Sequence, residues 1–466
     1  MGSKIEMMTL GDVCYITDGA HAKVERQSSG VMYLTSKNIG DGQLKLDSFD
    51  FISDDCFTKL FTNTKRAQRR LQAGDVLMGI IGTFGNCYVY KNTDQFGISS
   101  SVAILRPDQN VLLPDYLYYY ISSASFKAIV EKYKGGSVQG YTNIATLKAL
   151  PIPVPSIGMQ KAIVENLIPL DNKITLNRQI NQTLEQMAQT LFKSWFVDFD
   201  PVMDNALDTG NPIPDELQHR AEARRAVLES EGFKPLPDEV RQLFPDAFEE
   251  SELGWVPKGW GSKSLTMLVD TISKTYPLKT VDEVIFLNTG DIEDGRFLHT
   301  DFSKVAGLPG QAKKSIQRND ILFSEIRPKN KRFAYVNFDA EHHVVSTKLM
   351  VLRAKQDVHP LFAYFLLTLE KTTNELQRIA ELRSGTFPQI TYTELGLISF
   401  SLPNDTKLID AFVGLYLQPF YDKSFKSREE NETLTKLRDT LLPKLISGEL
   451  RLDDVEAAVE QETVSA

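Results

Sequence analysis

The most constraining feature of this sequence is that it is written twice. At a fixed offset of 250 positions, Leu167, Pro169, Lys173, Arg178, Asn181, Thr183, Leu184, Thr190 and Leu191 meet identical residues, nine identities in 25 positions. Upstream of each stretch the likeness is looser. YLTSKNIGDGQL (residues 33–44) reads like FLNTGDIEDGRF (286–297), and LQAGDVLM (71–78) like IQRNDILF (316–323). ISSSVAILR (98–106) matches VVSTKLMVLR, with Ser99 on Ser346 and Arg106 on Arg353. Such self-similarity decides architecture before any single residue does: a variable block followed by a more uniform block, then both again.

The uniform block carries a heptad. Ile163, Leu167, Leu170, Ile174, Asn177, Asn181, Leu184, Ala188, Leu191 and Trp195 step by four and three throughout. Val413, Leu417, Phe420, Ser424, Ser427, Asn431, Leu434, Arg438, Leu441 and Leu445 keep the same phase. That spacing makes one seam on a helix, and the seam must face another helix. Two such helices in one chain bury their seams most simply against each other, and antiparallel pairing also relates the two halves by a two-fold axis. Asn181 and Asn431 fall on the seam, where a buried amide costs stability and fixes register; ordinary solvent-facing polarity is the alternative. Pro169 and Pro419 either start each main helix at its first turn or kink it.

The variable blocks, 1–155 and 256–403, read as mixed α/β. Short β-branched runs at 75–81, 102–105, 321–323 and 349–352 are bounded by Gly, Asn, Asp and Ser turns. An aromatic helix follows Pro114 in the first block and Pro360 in the second. Its stripe reads as core. The predicted order is therefore block 1–155, helix 156–200, an acidic Pro-containing connector 201–255 with one helix, block 256–403, helix 404–448, and an acidic tail 449–466. The fold class is mixed α+β: two α/β domains joined by two long antiparallel coiled-coil helices, a pseudo-two-fold tandem repeat.

A net charge of −9 argues against a nucleic-acid binder until it is divided along the chain. Residues 1–155 hold 16 basic and 14 acidic side chains, and 256–403 hold 19 and 16. The acid is concentrated in 201–255, with 5 basic against 13 acidic, and in the tail, with 1 against 6. Two mildly basic blocks thus alternate with acidic or neutral connectors, and net charge does not exclude DNA. Cys14, Cys56 and Cys87 form neither a disulfide framework nor a CxxC knuckle, which suits a reducing cytosol. No run of apolar residues is long enough for a membrane span, and MGSKIEMMTL holds no apolar signal core.

Catalytic signatures are missing. GIIGTFGN (79–86) lacks the Lys-Ser/Thr ending of a phosphate-binding loop. There is no GxGxxG opening a helix and no NPP-[FYW] of an amino-methyltransferase. The adjacent His342 and His343 point to opposite faces of any strand, so they do not share a metal. Asp320, Glu325 and Lys329 superficially suggest a nuclease carboxylate set. The expected Glu-x-Lys is Glu-x-Arg here, and the other copy has Gly79 and Ile80 in that neighbourhood.

What remains is recognition chemistry. Lys65, Arg66, Arg69 and Arg70 cluster ahead of one predicted strand, and Lys313, Lys314 and Arg318 cluster at nearly the same place in the second copy. Basic patches at equivalent points of a duplicated fold suit two stretches of phosphate backbone. The loop holding Thr83 and Asn86 meets Arg327, Lys329, Lys331 and Arg332 in the other copy. A second loop, with Lys134, Ser137, Gln139 and Tyr141, meets Arg383, Thr386 and Gln389. Ser, Thr, Gln, Asn and Arg are the donors that phosphates and base edges accept. These loops differ while the scaffold around them repeats, as two readers of different sequences would.

Taken in order, TLFKSWFVDFDPV (190–202), LFPDAFEESELGWVPKGW (243–260) and LLPKLISGEL (441–450) make the chain resemble, over essentially its whole length, the specificity subunit of type I restriction-modification systems. The resemblance implies two target recognition domains, each reading one half of a split, asymmetric site in double-stranded DNA. It implies helices that act as spacer and as docking surface for two modification subunits, which bring S-adenosylmethionine and adenine N6-methyl transfer. Restriction subunits bring ATP, Mg²⁺, translocation and cleavage. The chain itself is then a cytoplasmic, non-catalytic recognition subunit with no cofactor or metal of its own. Two other classes remain: a coiled-coil scaffold with two protein-binding heads and no DNA affinity, and a self-sufficient nuclease or methyltransferase.

Overall fold

The computed structural model describes residues 5–46, 48–64, 67–82, 85–133, 143–252, 254–383, 386–447 and 449–450. The chain forms two compact units. One holds residues up to Gln179 together with those from Lys426 onward, and the other runs from Ile180 to Phe425. Both long helices, Ile157–Phe196 and Gln418–Ser447, contribute to both units.

Each variable block is the same fold. In the first, Cys14–Asp18, Val102–Pro107, Val76–Gly79 and Cys87–Val89 form a four-stranded antiparallel sheet in that order. In the second, Val269–Ile272, Leu349–Ala354, Ile321–Ser324 and Phe333–Tyr335 repeat it. A smaller sheet accompanies each, with Val31–Leu34 parallel to Phe96–Ile98 and Glu283–Leu287 parallel to His343–Ser346. The second copy adds the strand Ala312–Ser315 to that sheet. Glu6–Thr9 pairs with Pro151–Val154, and Trp260–Ser264 with Ser399–Pro403, so the first and last strands of each block meet.

The central strands are buried on both faces, because successive side chains point to opposite sides of the sheet. Val76, Met78, Ala103 and Leu105 join the core that holds the aromatic helix Pro114–Ser122, while Leu77, Val102 and Ile104 join Leu34, Phe96 and Ile98 of the smaller sheet. Ile321, Phe323, Met350 and Leu352 against Leu322, Leu349 and Val351 repeat the division. The aromatic helix is not continuous as expected. It breaks after Ser122 in the first copy and after Thr368 in the second. In the first copy Ser123 leaves the helical backbone region, its hydroxyl donating to the Tyr120 carbonyl and accepting from the Phe126 N–H.

Within each unit, residues of the two long helices pack against each other. In the first unit Ile163, Leu167, Leu170 and Ile174 bury against Leu434, Leu437, Leu441, Leu442 and Leu445. Asn177 donates to Asn431 Oδ1 at 3.0 Å, and Arg438 to Asp171 at 2.9 Å, so the partners run in opposite directions. In the second unit Trp195 lies 5.2 Å from Phe412 and 5.6 Å from Tyr416, ring centre to ring centre, again antiparallel. Leu417 is buried there, with Leu191 and Phe420 packed on the same core. Leu184 and Asn181 are half-buried, and Asn181 Oδ1 has no hydrogen-bond partner among the described residues.

Neither proline starts its helix. Pro169 lies inside the helix that begins at Ile157, so it does not start it. Pro419 likewise lies inside a helical run that is continuous from Lys407 to Ser447, directly after a π-helical turn over Val413–Leu417. A wider turn there fits a residue with no N–H to give. The connector folds into short helices, Asp200–Thr209 and Gln218–Leu228, joined by Arg224, which donates to both oxygens of Asp204 at 2.6 and 2.8 Å.

Candidate nucleic-acid interface

The loops singled out by sequence hang from a repeated ion pair. Asp75, in LQAGDVLM, accepts from Arg106 through both oxygens at 2.7 Å, and Asp320, in IQRNDILF, accepts from Arg353 at 2.7 and 3.0 Å. Both carboxylates are almost wholly buried and also accept a backbone N–H three residues upstream, from Gln72 and from Gln317. Removing either partner leaves a buried charge unpaired. Asp320 is thus held in place structurally, and Glu325 faces Lys348 at 4.0 Å, so the superficial nuclease set offers no open carboxylate pair.

In the second copy the two nominated loops lie side by side. Arg327 donates its N–H to the Pro388 carbonyl at 3.1 Å, Ile390 to the Glu325 carbonyl at 2.9 Å, and Ile326 bridges Gln389. Lys329, Lys331, Arg332, Thr386 and Gln389 are brought to one region by these contacts. In the first copy the equivalent second loop, with Lys134, Ser137, Gln139 and Tyr141, lies outside the described residues, as do Thr83, Lys65 and Arg66. Asn86 is half-buried and donates to the Ile39 carbonyl at 3.2 Å.

Backbone geometry repeats where sequence does not. Gly82 and Gly85 have φ of +81° and +84°, a region glycine enters freely. In the corresponding loop Arg327 and Lys331 adopt φ of +47° and +54°, where a Cβ costs roughly 1–2 kcal/mol per residue. The fold demands a left-handed residue near each end of this loop. One copy meets the demand with glycine and the other with cations, tolerating strain to place positive side chains there.

The nominated cations divide by what they already hold. Arg69 donates to the carbonyls of Asp18 and Gly19 and faces the Asp18 carboxylate at 3.5 Å. Lys314 is half-buried and donates to the Thr347 and Leu349 carbonyls, and burial pushes its pKa below the usual lysine value. Arg332 reaches the Ile292 carbonyl and Glu293. Arg383 is paired with Glu394. Each of these four thus holds a partner within the protein. Lys331 is 4.0 Å from Asp294 and half-exposed. Arg70, Lys313, Arg327 and Lys329 are exposed and, among the described residues, have no ion-pair partner.

One buttress escaped the sequence reading. In each copy the GDGQL or DIEDGRF turn is hydrogen-bonded to the strand or loop end beside it. Gly42 donates to the Cys87 carbonyl at 2.9 Å, and Asp294 and Gly295 donate to the Lys331 and Phe333 carbonyls at 2.8 and 2.9 Å. The signal was present as the repeated string itself, whose function only the tertiary contacts disclose.

Cys14 and Cys87 are buried, and burial pushes both thiols up to about 12, so neither is a nucleophile at neutral pH. Among the described residues no cluster of three or more His, Cys, Asp or Glu is placed to hold a metal, and no helix is long and apolar enough to cross a membrane.

The type I restriction modification DNA specificity domain matches residues 2–186 and 257–425, one match per variable block and well over half the chain. The chain belongs to the type I DNA specificity family. The family match falls on the two copies and leaves out the whole connector, 201–255. The HindI specificity subunit of Haemophilus influenzae is 39% identical over 186 residues, a match that spans 39% of either chain. The MjaIX specificity subunit of Methanocaldococcus jannaschii is 24% identical over 347 residues, 74% of this chain and 71% of that one. The S subunit of a type I restriction-modification system from M. genitalium aligns over 95% of this chain and 96% of its own, at 14% identity and a TM-score of 0.48.

Proposed function

We propose that this chain is the sequence-reading subunit of a type I restriction-modification complex and binds a bipartite, asymmetric site in double-stranded DNA. Each variable block reads one half-site, and the antiparallel helices set the unread gap between them and dock two modification subunits. Restriction subunits join that assembly in the cytoplasm. S-adenosylmethionine, ATP and Mg²⁺ act in those partners, and this chain contributes no catalytic group. The single observation that carries the reading is the pairing of a repeated scaffold with unrepeated loops. Asp75–Arg106 and Asp320–Arg353 hold two copies of one frame, while the loops at 82–86 and 327–332 differ in every side chain that could touch a base. Equivalent frames with different loops suit two half-sites of different sequence.

The test is selection from a random duplex pool by the full chain assembled with its modification subunit. Two short specified segments separated by a gap of fixed length are expected. A single uninterrupted site, or no enrichment over the starting pool at low salt, overturns the reading. The latter result favours the protein-binding scaffold.

A further inference from the structure

The recognition surface of the second block carries an apolar side chain where a phosphate-binding surface has no use for one. Phe387 is 67% exposed, and Leu382, in the last turn of the helix Glu370–Arg383, is 74% exposed. Single exposed apolar residues are common and call for no explanation alone. Phe387 differs in three respects.

Its backbone is pinned. Pro388, buried, follows it and confines it to extended conformations. The Pro388 carbonyl accepts from Arg327, Ile326 bridges Gln389, and Ile390 donates to Glu325. Beyond them Thr391 donates its N–H and hydroxyl to Glu394 at 2.6 and 2.7 Å. The loop therefore presents the ring from a fixed base.

Its neighbours are cations with charge to offer. Arg327 and Lys329 stand on the loop bonded to it, without an ion-pair partner among the described residues, and the Lys329 N–H is held by Gln377 at 3.3 Å. A protein partner would meet a ring beside uncompensated positive charge, whereas a duplex meets that charge with phosphate and the ring with stacked bases. Finally, Phe387 lies in the loop that differs between copies, where the first block carries Val138.

We propose that Phe387 is a wedge that enters the base stack of the half-site read by the second block, partly unstacking one step while Arg327 and Lys329 hold the flanking phosphates. This rests on the DNA-reading function proposed above. An aromatic side chain between bases replaces the lost stacking, and its geometry favours a step that unstacks easily, so Phe387 also selects sequence through deformability.

The experiment uses the full chain with its modification subunit and the duplex obtained by selection, with 2-aminopurine placed at each position of the second half-site in turn. The native protein is expected to raise the fluorescence at one step severalfold on binding. Phe387→Ala abolishes that rise and weakens binding roughly ten- to a hundredfold, with the footprint on the first half-site intact. Phe387→Leu, a smaller wedge, retains part of both. If the duplex is selected and bound but no position brightens, the wedge is excluded while the DNA-reading function stands; if no duplex is selected, that function itself fails. Loss of affinity on replacing a thymine by deoxyuridine, with no unstacking, would assign Phe387 to a methyl contact and overturn the wedge. Failure of Phe387→Ala to assemble with the modification subunit would assign it to a protein interface and overturn it equally.

Discussion

Arg438, on the second long helix, places its guanidinium 2.9 Å from the carboxylate of Asp171 on the first. Asp41, from the recognition block, lies 3.4 Å away on the other side, and Asp439 at 3.0 Å completes the cluster. The Arg438 side chain is only 8% exposed. Burial opposes its charge, and the three carboxylates outweigh burial and push its pKa up. One residue thereby ties the helix pair to the block beside it. The duplicate position in the first helix is Ala188, so only one copy uses a buried cation here.

Arg438→Ala strands Asp171 and Asp41, and Asp41 Oδ1 already lacks a hydrogen-bond partner among the described residues. A loss of about 3–5 kcal/mol is expected for removing one member of a buried ion pair. Denaturant unfolding of the full chain measures it, and Asp171→Asn in the same background should cost less than it does alone. A loss below 1 kcal/mol would mean the cluster is solvated.

A second prediction concerns the gap between half-sites. Asn177 donates to Glu430 at 2.8 Å and to Asn431 at 3.0 Å, a polar layer that fixes which residues of the two helices face each other. Four residues inserted beside Asn177 lengthen the first helix by about 6 Å, at 1.5 Å per residue. The selected DNA site should then gain unread base pairs with both half-sites unchanged. Altered half-sites with the old gap would refute the helices as spacer.

The repeat, the sheet-and-helix blocks and the helix seam were legible because each depends on periodicity, and periodicity survives without knowledge of neighbours. The use of individual charges was not. Arg69 and Arg70 are adjacent and look alike in sequence, yet Arg69 is bonded to two carbonyls and Arg70 extends into solvent. Lys313 and Lys314 divide the same way, because neighbours on a strand face opposite sides. Asp320 looked like a catalytic carboxylate until its partner, Arg353, was found 33 residues away in sequence. That pairing was half visible, since Asp75 and Arg106 stand at the same two places in the first copy.

Those divisions make a salt-dependence prediction. Lys329→Ala should lower the slope of log binding constant against log salt by about 0.9, one released counterion. Lys314→Met should leave the slope unchanged, because its ammonium already faces carbonyls. Equal effects from the two substitutions would show that burial does not sort the cations.

The Phe387 loop should be acid-sensitive. Burial raises the Glu394 carboxyl, but bonds from Thr391 and the charge of Arg383 outweigh it and leave the group below its ordinary value of 4.5. A carboxylate depressed by folding stabilises above 4.5, and that contribution is lost as pH falls through the lower folded value. Hydrogen exchange at the Ile390 and Thr391 amides, corrected for intrinsic rates, should accelerate below pH 4.5. In Glu394→Gln this acid step should vanish. A step of the same size in the variant would place the acid sensitivity elsewhere.

The left-handed cations yield the sharpest contrast between stability and binding. Arg327 and Lys331 occupy φ of +47° and +54°, and their counterparts' loop uses Gly82 and Gly85. Glycine relieves the steric cost at such a position but adds freedom to the unfolded chain, so the net gain per site is about 1 kcal/mol or less. Arg327→Gly is the cleaner test, because Arg327 has no ion pair among the described residues to lose. Its midpoint of unfolding should rise slightly, while affinity for the selected duplex falls and the salt slope drops by about 0.9. Lys331→Gly should behave similarly with a smaller gain, since the contact with Asp294 goes too. A variant that gains stability and keeps its affinity would show the strain serves the loop's shape alone. One that loses stability would show that surrounding contacts, not the backbone of Arg327, carry the energy of the turn.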